Sequence, residues 1–332
     1  MAKKKAARRK VGRTLYAGVD IGGTKLHTVV ARANGKILGR ARKKTKGELG
    51  FAGVMARVVA CVEAACKEAG ISPKELRAVG VGAPSAMTAD GVAVHAPNLG
   101  WRRTPVAAKL RSLLGRPVVG GNDCDVGTLG EYVFGAGKGS RSLVGLLVGT
   151  GLGGGIVYHG ALISGENHLA AEVGHMTVQV DGRLCSCGHR GCLEAYASKS
   201  GMGRRFAADL EAGRQSVLAT TKGIDLANVR SGVLLNAYRS GDGLVRDVLA
   251  ESARYLGIGI ANLVTLLGPD TVVIGGGVYE ALGKNLLPLV KAAAKKAVWP
   301  PASYKDTRIV LSALGDDAVA LGALAYAHQR FQ

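Results

Sequence analysis

Three cysteines fall within eight residues, at Cys185, Cys187 and Cys192, and His175 stands upstream of them. Three thiolates and one imidazole make a complete tetrahedral set for Zn2+, with no position left open for water. A closed set of this kind is structural, and the expected metal ligands are His175, Cys185, Cys187 and Cys192. His189 competes for the fourth place. His175 is preferred because the metal then closes the loop between Gly174 and Cys185. Free thiols are the alternative, but an exposed thiol cluster invites oxidation. Glu172 and Glu194 flank the knot, which would hold two carboxylates facing one cleft.

Two glycine turns offer a second chemistry. Asp20-Ile-Gly-Gly-Thr-Lys25 and Gly149-Thr-Gly-Leu-Gly-Gly-Gly155 each lie between apolar runs, and Gly275–Gly277 follows a third. Exposed N–H groups in such turns can cradle phosphate oxygens, with Thr24 and Thr150 adding hydroxyls. Plain hairpin turns are the alternative, but a turn needs only one or two glycines. A strand follows each of the first two turns, which argues against a Rossmann or Walker-type site. Asp123 is expected at the carboxyl end of a strand, where open α/β sheets bind ligands. There it could take a proton from a hydroxyl nucleophile. Its other reading is a helix N-cap, for which Asp125 is the better candidate.

These residues need elements to position them. Pattern and turn signals predict strands over 14–21, 26–31 and 37–42, with Asn34-Gly35 as a hairpin turn. Residues 51–69 carry apolar residues at helical spacing, with Cys61 and Cys66 packed as small core residues. A strand over 78–82 and a helix over 104–114 follow, the helix capped by Thr104 with Pro105 in its first turn. The strand 117–121 delivers Asn122 and Asp123 to a helix that runs to about Tyr132. Strands are expected at 143–148 and 156–158, mostly helix over 196–266, then strand 271–274, helix 282–296, strand 308–312 and a final helix over 318–326. The strand–glycine turn–strand unit therefore occurs twice, which points to a duplicated domain around one nucleotide.

Composition sets the limits. The 332 residues are 47% hydrophobic and 20% charged, ordinary for a globular chain with a sizeable core. No apolar run approaches a membrane span, and no signal-peptide h-region is evident, so a cytoplasmic protein is expected. That reducing compartment favours metal binding over disulfides. The formal charge is +20, with seven Lys or Arg in the first thirteen residues and six more from Lys36 to Lys46. The first cluster reads as a solvated tail. A polyanion patch is the sharper reading, but the chain is only 5% aromatic and no aromatics interleave the charges for base stacking. Nucleic acid and membrane partners are accordingly disfavoured.

The chain resembles the ROK family of sugar kinases and related repressors, and within it the bacterial glucokinases. Asp20 to Lys25 is similar to the family's phosphate signature, Asn122-Asp123 to its catalytic motif, and Glu172-Val-Gly-His175 with Cys185-x-Cys-Gly-x-x-Gly-Cys192-x-Glu194 to its zinc and sugar signature. The resemblance implies an actin-like (ribonuclease H-like) ATPase fold, two α/β domains with an interdomain cleft and a structural zinc site. The domains would be a basic tail over 1–13, a small α/β domain over 14–121 plus 317–332, and a large one over 122–316 with the zinc knot. It implies ATP-dependent phosphorylation of a hexose at its 6-hydroxyl, glucose first among candidates, with Mg2+ and with Asp123 as general base. Asn98, Asn122, Asp123, Glu172, His175 and Glu194 would bind the sugar. Gly22, Gly23, Thr24, Lys25, Thr150, Gly151, Gly275, Gly276 and Gly277 would bind ATP. A homodimer or homotetramer is expected. Kinases for N-acetylhexosamines or fructose, and polyphosphate as donor, are the rival readings. A regulator is disfavoured because about 17 residues precede Gly18, too few for a helix-turn-helix domain. Two positions depart from the family pattern: Asp125 replaces a usual asparagine, and Ala171 a usual glycine.

Overall fold

A computed structural model describes residues 14–332. The basic tail over 1–13 lies outside the described residues. The chain forms two compact units. One contains residues up to Gly139, Ala161–Ala171 and Asp316–Gln332; the other contains Ser140–Gly160 and Glu172–Gly315.

The first unit starts with β1 (Leu15–Ile21), β2 (Lys25–Arg32) and β3 (Ile37–Lys44), then α1 (Gly50–Glu68) and β4 (Leu76–Ala83). A two-stranded ribbon of β5 (Ala93–Ala96) and β6 (Trp101–Thr104) precedes α2 (Val106–Leu114), β7 (Val118–Asn122) and α3 (Asp123–Phe134). The sheet order is β3-β2-β1-β4-β7. The hairpins β1–β2 and β2–β3 are antiparallel, whereas β4 and β7 run parallel to β1. The three parallel strands end together, with Asp20 opposite Gly82 and Gly82 opposite Gly121.

One sheet face holds α1 through Val54, Met55, Val58, Cys61, Val62, Ala65 and Cys66, all fully buried. Including its leading turn, Gly47–Glu68 is long and apolar enough to cross a membrane by length and composition. This corrects the expectation that no run approaches that length. The buried stripe of α1 belongs to the unit's apolar core with Val19, Leu26 and Val81, as a core helix requires. Burial lifts the Cys66 thiol to about 11, in keeping with an inert core cysteine.

The C-terminal helix (Ala318–Arg330) packs on β1, β4 and α3. The approach is close enough that a side chain on Gly18 or Gly80 would overlap the Ala320 or Ala323 carbonyl. Gly322 is likewise pressed on the Val126 carbonyl, and Gly130 on that of Ala318. This seam keeps α3 in the first unit. The expected boundary after residue 121 is corrected to Gly139, with Ala161–Ala171 added and the C-terminal return at Asp316.

In the second unit, β8 (Ser142–Val148) and β9 (Leu152–Tyr158) form an antiparallel hairpin. The helices α4 (Glu194–Ala197), α5 (Lys199–Glu211), α6 (Ser231–Arg239) and α7 (Gly243–Leu267) follow, then β10 (Thr271–Gly275), α8 (Gly277–Ala297) and β11 (Arg308–Leu311). These strands lie in the order β9-β8-β10-β11, with β10 and β11 parallel to β8. A hairpin with parallel strands added beside its first member thus occurs in both units. Mixed sheets covered by helices, repeated in this way, are consistent with the actin-like fold.

Two local expectations are corrected. The second glycine turn is only 149–151, because Gly153, Gly154 and Gly155 already pair with Leu147, Leu146 and Gly145 in β9. Thr104 ends β6 instead of capping α2, whose cap position is Pro105 with no side-chain bond.

Candidate functional site

In the first unit, three features converge at the carboxyl ends of the parallel strands. The turn after β1 is closed by Gly22 N–H on the Lys25 carbonyl at 2.9 Å. Thr45 braces it, its hydroxyl donating to Gly22 O at 2.6 Å and its amide to Thr24 O at 2.9 Å. Gly23, Thr24 and Lys25 stay exposed. Asn98, in the short 3-10 turn Pro97–Leu99, lies beside Gly23: a Cβ there would stand 3.7 Å from the Asn98 Cβ. Asn122 ends β7 and caps α3, its Oδ1 accepting from Cys124 N at 2.8 Å and Asp125 N at 3.2 Å. The expectation that Asp125 is the cap is corrected, since the residue before the helix holds the geometry a cap needs. Asp123 opens α3, and its Oδ1 also accepts from Cys124 N at 2.8 Å.

Asp20 is the residue that sequence reasoning missed. Burial pushes its carboxyl up to about 7, the charges of Asp123 and Asp316 push the same way, and Lys25 opposes. Its signal was available, because it is the penultimate residue of β1, directly before the glycine turn. Asp316 is held by Lys25 at 3.2 Å and Arg42 at 3.0 Å, and these cations keep its carboxyl below the usual range. Lys25 thus meets a carboxylate in the structure. Asp123 and Asp316 lie near enough to Asp20 for their charges to act on it, while Asp316 itself is neutralised by Lys25 and Arg42.

In the second unit, the turn 149–151 is closed by Gly149 N–H on the Gly151 carbonyl at 2.9 Å. The first amides of α5 support it, Lys199 N donating to Gly149 O at 3.0 Å and Ser200 N to Thr150 O at 3.1 Å. Thr150 is exposed. Gly276, at φ 91°, packs on the Val148 backbone directly before that turn, so the second and third glycine runs meet. Gly275 ends β10 and Gly277 opens α8, so the helix starts five residues earlier than the expected 282.

Glu172, exposed, precedes the 3-10 turn Val173–His175, which lies on β9 with Gly174 against the Leu152 carbonyl. His175, Cys185, Cys187 and Cys192 present donor atoms that all lie within 4.8 Å of one another. Cys187 and Cys192 sulfurs are 3.7 Å apart, and the Cys185 sulfur is 3.8 Å from His175 Nδ1. Bonds of about 2.3 Å to a tetrahedral Zn2+ separate two sulfurs by roughly 3.8 Å, so the residues fit the ion. A hydrogen bond from the His189 backbone amide lowers the Cys187 thiol to about 6, whereas burial and the neighbouring thiols raise Cys192 to about 12. Gly188 and Gly191 adopt φ of 90° and 81°, which lets the loop fold back on itself.

Glu194 opens α4 and is buried. Its Oε2 accepts from Leu152 N at 2.9 Å, and its Oε1 from the Ser186 hydroxyl at 2.7 Å and the Cys185 thiol at 3.5 Å.

The sequence model of the ROK family matches residues 16–330. The chain belongs to the ROK family. The glucokinase of Halalkalibacterium halodurans is 34% identical over 314 residues, covering 92% of this chain and 93% of that protein. The solved ROK family glucokinase from Streptomyces griseus, in complex with glucose and AMPPNP, is 33% identical with a TM-score of 0.79, covering 95% of this chain and 99% of that one. The xylose repressor of Caldicellulosiruptor bescii is 28% identical over 309 residues, 93% of this chain and 76% of the repressor. The ROK likeness therefore extends to regulators as well as kinases.

Proposed function

We propose that this ROK sugar kinase transfers the γ-phosphoryl group of ATP to the 6-hydroxyl of a hexose, with glucose the preferred acceptor. One observation carries the reading. Asp123 stands one residue past β7, where the parallel strands end together and the glycine turn after β1 begins. In this reading Asp123 takes the proton of the 6-hydroxyl as its oxygen attacks, and ADP leaves. Asn98, Asn122, Glu172, His175 and Glu194 hold the other hydroxyls. Gly22, Gly23, Thr24, Lys25, Thr150 and Gly151 hold the phosphates, and Gly275, Gly276 and Gly277 lie toward the adenosine. Mg2+ bound with ATP supplies charge neutralisation. The chain's own contribution is positioning and electrostatics.

His175, Cys185, Cys187 and Cys192 would hold a structural zinc ion in the same reading. Its donors leave no open position, so it supplies rigidity and no chemistry. The glucokinases above support glucose as the acceptor. The test is a coupled ADP-release assay over glucose, N-acetylglucosamine, N-acetylmannosamine, fructose and allose, with ATP or polyphosphate as donor. The highest kcat/KM with glucose and ATP is expected. A strong preference for another sugar would reassign the acceptor, and turnover with polyphosphate alone would reassign the donor.

A further inference from the structure

Glu194 sits between two parts of the second unit that the proposed reaction uses separately. On one side its Oε2 accepts the buried Leu152 amide at 2.9 Å, directly after the turn 149–151. On the other side its Oε1 accepts the Ser186 hydroxyl at 2.7 Å, inside the cysteine cluster. A Cβ on Gly151 would stand 2.6 Å from Oε2, so the carboxylate lies directly against the turn. The chain after Glu194 stays there too, because Lys199 and Ser200 amides bond the Gly149 and Thr150 carbonyls. The chain before it is fixed by Leu193 N on Met176 O at 2.9 Å and by Cys192 two residues away.

We propose that Glu194 is a positioning residue for ATP: its carboxylate ties the glycine turn 149–151 to the cysteine cluster, so that ordering of the cluster governs how firmly the chain holds nucleotide phosphates. The proposal rests on the reading of Thr150 and Gly151 as phosphate ligands. It adds a second role to a residue otherwise assigned to the sugar. When Cys185 binds a metal it is a thiolate and donates nothing, so Ser186 alone then holds Oε1 from the cluster side. Without Glu194 the Leu152 N–H is left buried and unbonded, and the turn must open to hydrate it.

The experiment measures two quantities on the full chain: amide exchange of the segment 149–155, and the Kd of a non-hydrolysable ATP analogue by calorimetry. Glu194→Ala should speed exchange and weaken analogue binding, each about tenfold or more. Glu194→Gln should recover most of both, because its amide oxygen can accept from Leu152 while Ser186 turns to accept the amide N–H. Ser186→Ala and chelator-treated wild type should weaken the analogue in the same direction. A folded Glu194→Ala chain with wild-type exchange and analogue affinity would overturn the proposal. So would a chelated chain that binds the analogue as before. If Glu194→Ala does not fold, Ser186→Ala and the chelated protein decide. A wild-type chain that binds no analogue overturns the nucleotide reading and this one with it, and the exchange data still report whether Glu194 ties the turn.

Discussion

The side-chain oxygen of Asn122 accepts the amide of Cys124 at 2.8 Å, and this bond starts α3 at Asp123. A strand that ends in its own helix cap delivers the next residue at a fixed angle. That residue is the proposed base. The cap also engages the Asn122 oxygen, so its amide N–H groups are the part best suited to a sugar hydroxyl.

Asp123→Asn should keep the fold and lose turnover. The amide is nearly isosteric, but it cannot accept the proton. A fall in kcat of about 10²–10⁴-fold is expected, the usual worth of a general base. Melting temperature and steady-state kinetics check this together. Near-normal kcat in the folded variant would remove Asp123 as the base.

Stability should depend on pH through Asp20. Its carboxyl, raised to about 7 from 3.8, keeps its proton in the folded chain where the unfolded chain has lost it. The contribution is therefore most favourable below pH 3.8, falls as pH rises, and is fully unfavourable above about pH 7. Asp20→Asn should stabilise the ligand-free protein by about 1–3 kcal/mol at pH 8 and by little near pH 4. Urea titrations at the two pH values measure the difference. An equal effect at both would show that the proton is not held.

Much of this was legible in the sequence because the signals were local. Glycine turns between apolar runs, an Asn-Asp pair after a strand and clustered cysteines each declare themselves within a few residues. What was missed depends on distant partners. The cluster Lys36–Lys46 read as excess charge, yet Arg40 bonds Asp317 at 2.8 Å and Arg42 bonds Asp316 at 3.0 Å, nearly 280 residues away. The raised carboxyl of Asp20 comes from burial and from Asp123, which adjacent residues do not reveal. The domain boundary moved because Gly130 and Gly322 let two helices far apart in sequence touch at the backbone.

Asp317 should matter for stability beyond its surface charge. The fully buried His27 presents Nε2 to its Oδ1 at 2.7 Å. Asp317→Ala leaves that imidazole without its carboxylate and should cost about 1–3 kcal/mol. Chemical denaturation would show it, and a loss below about 0.5 kcal/mol, the scale of ordinary surface substitutions, would make the contact incidental.

Protein purified without chelator should contain one zinc per chain by elemental analysis, and Cys187→Ser should lower both zinc content and sugar affinity. Absence of metal from the folded protein would remove the ion. Unchanged sugar KM in zinc-depleted Cys187→Ser would break the link between the cluster and Glu172, His175 and Glu194.

Ala171 adopts φ 66° immediately before Glu172, a left-handed conformation that disfavours a side chain. Ala171→Gly should therefore be neutral or stabilising by up to about 1 kcal/mol. Thermal melts would detect it, and a clear destabilisation would mean that the alanine methyl makes contacts worth more than the strain.

The most direct test is phosphorus NMR of glucose and ATP incubated with the zinc-loaded wild-type chain and Mg2+. The proposed function predicts that glucose 6-phosphate accumulates in step with ADP. No sugar phosphate from glucose or any hexose of the panel, by folded and metal-replete protein, would contradict it.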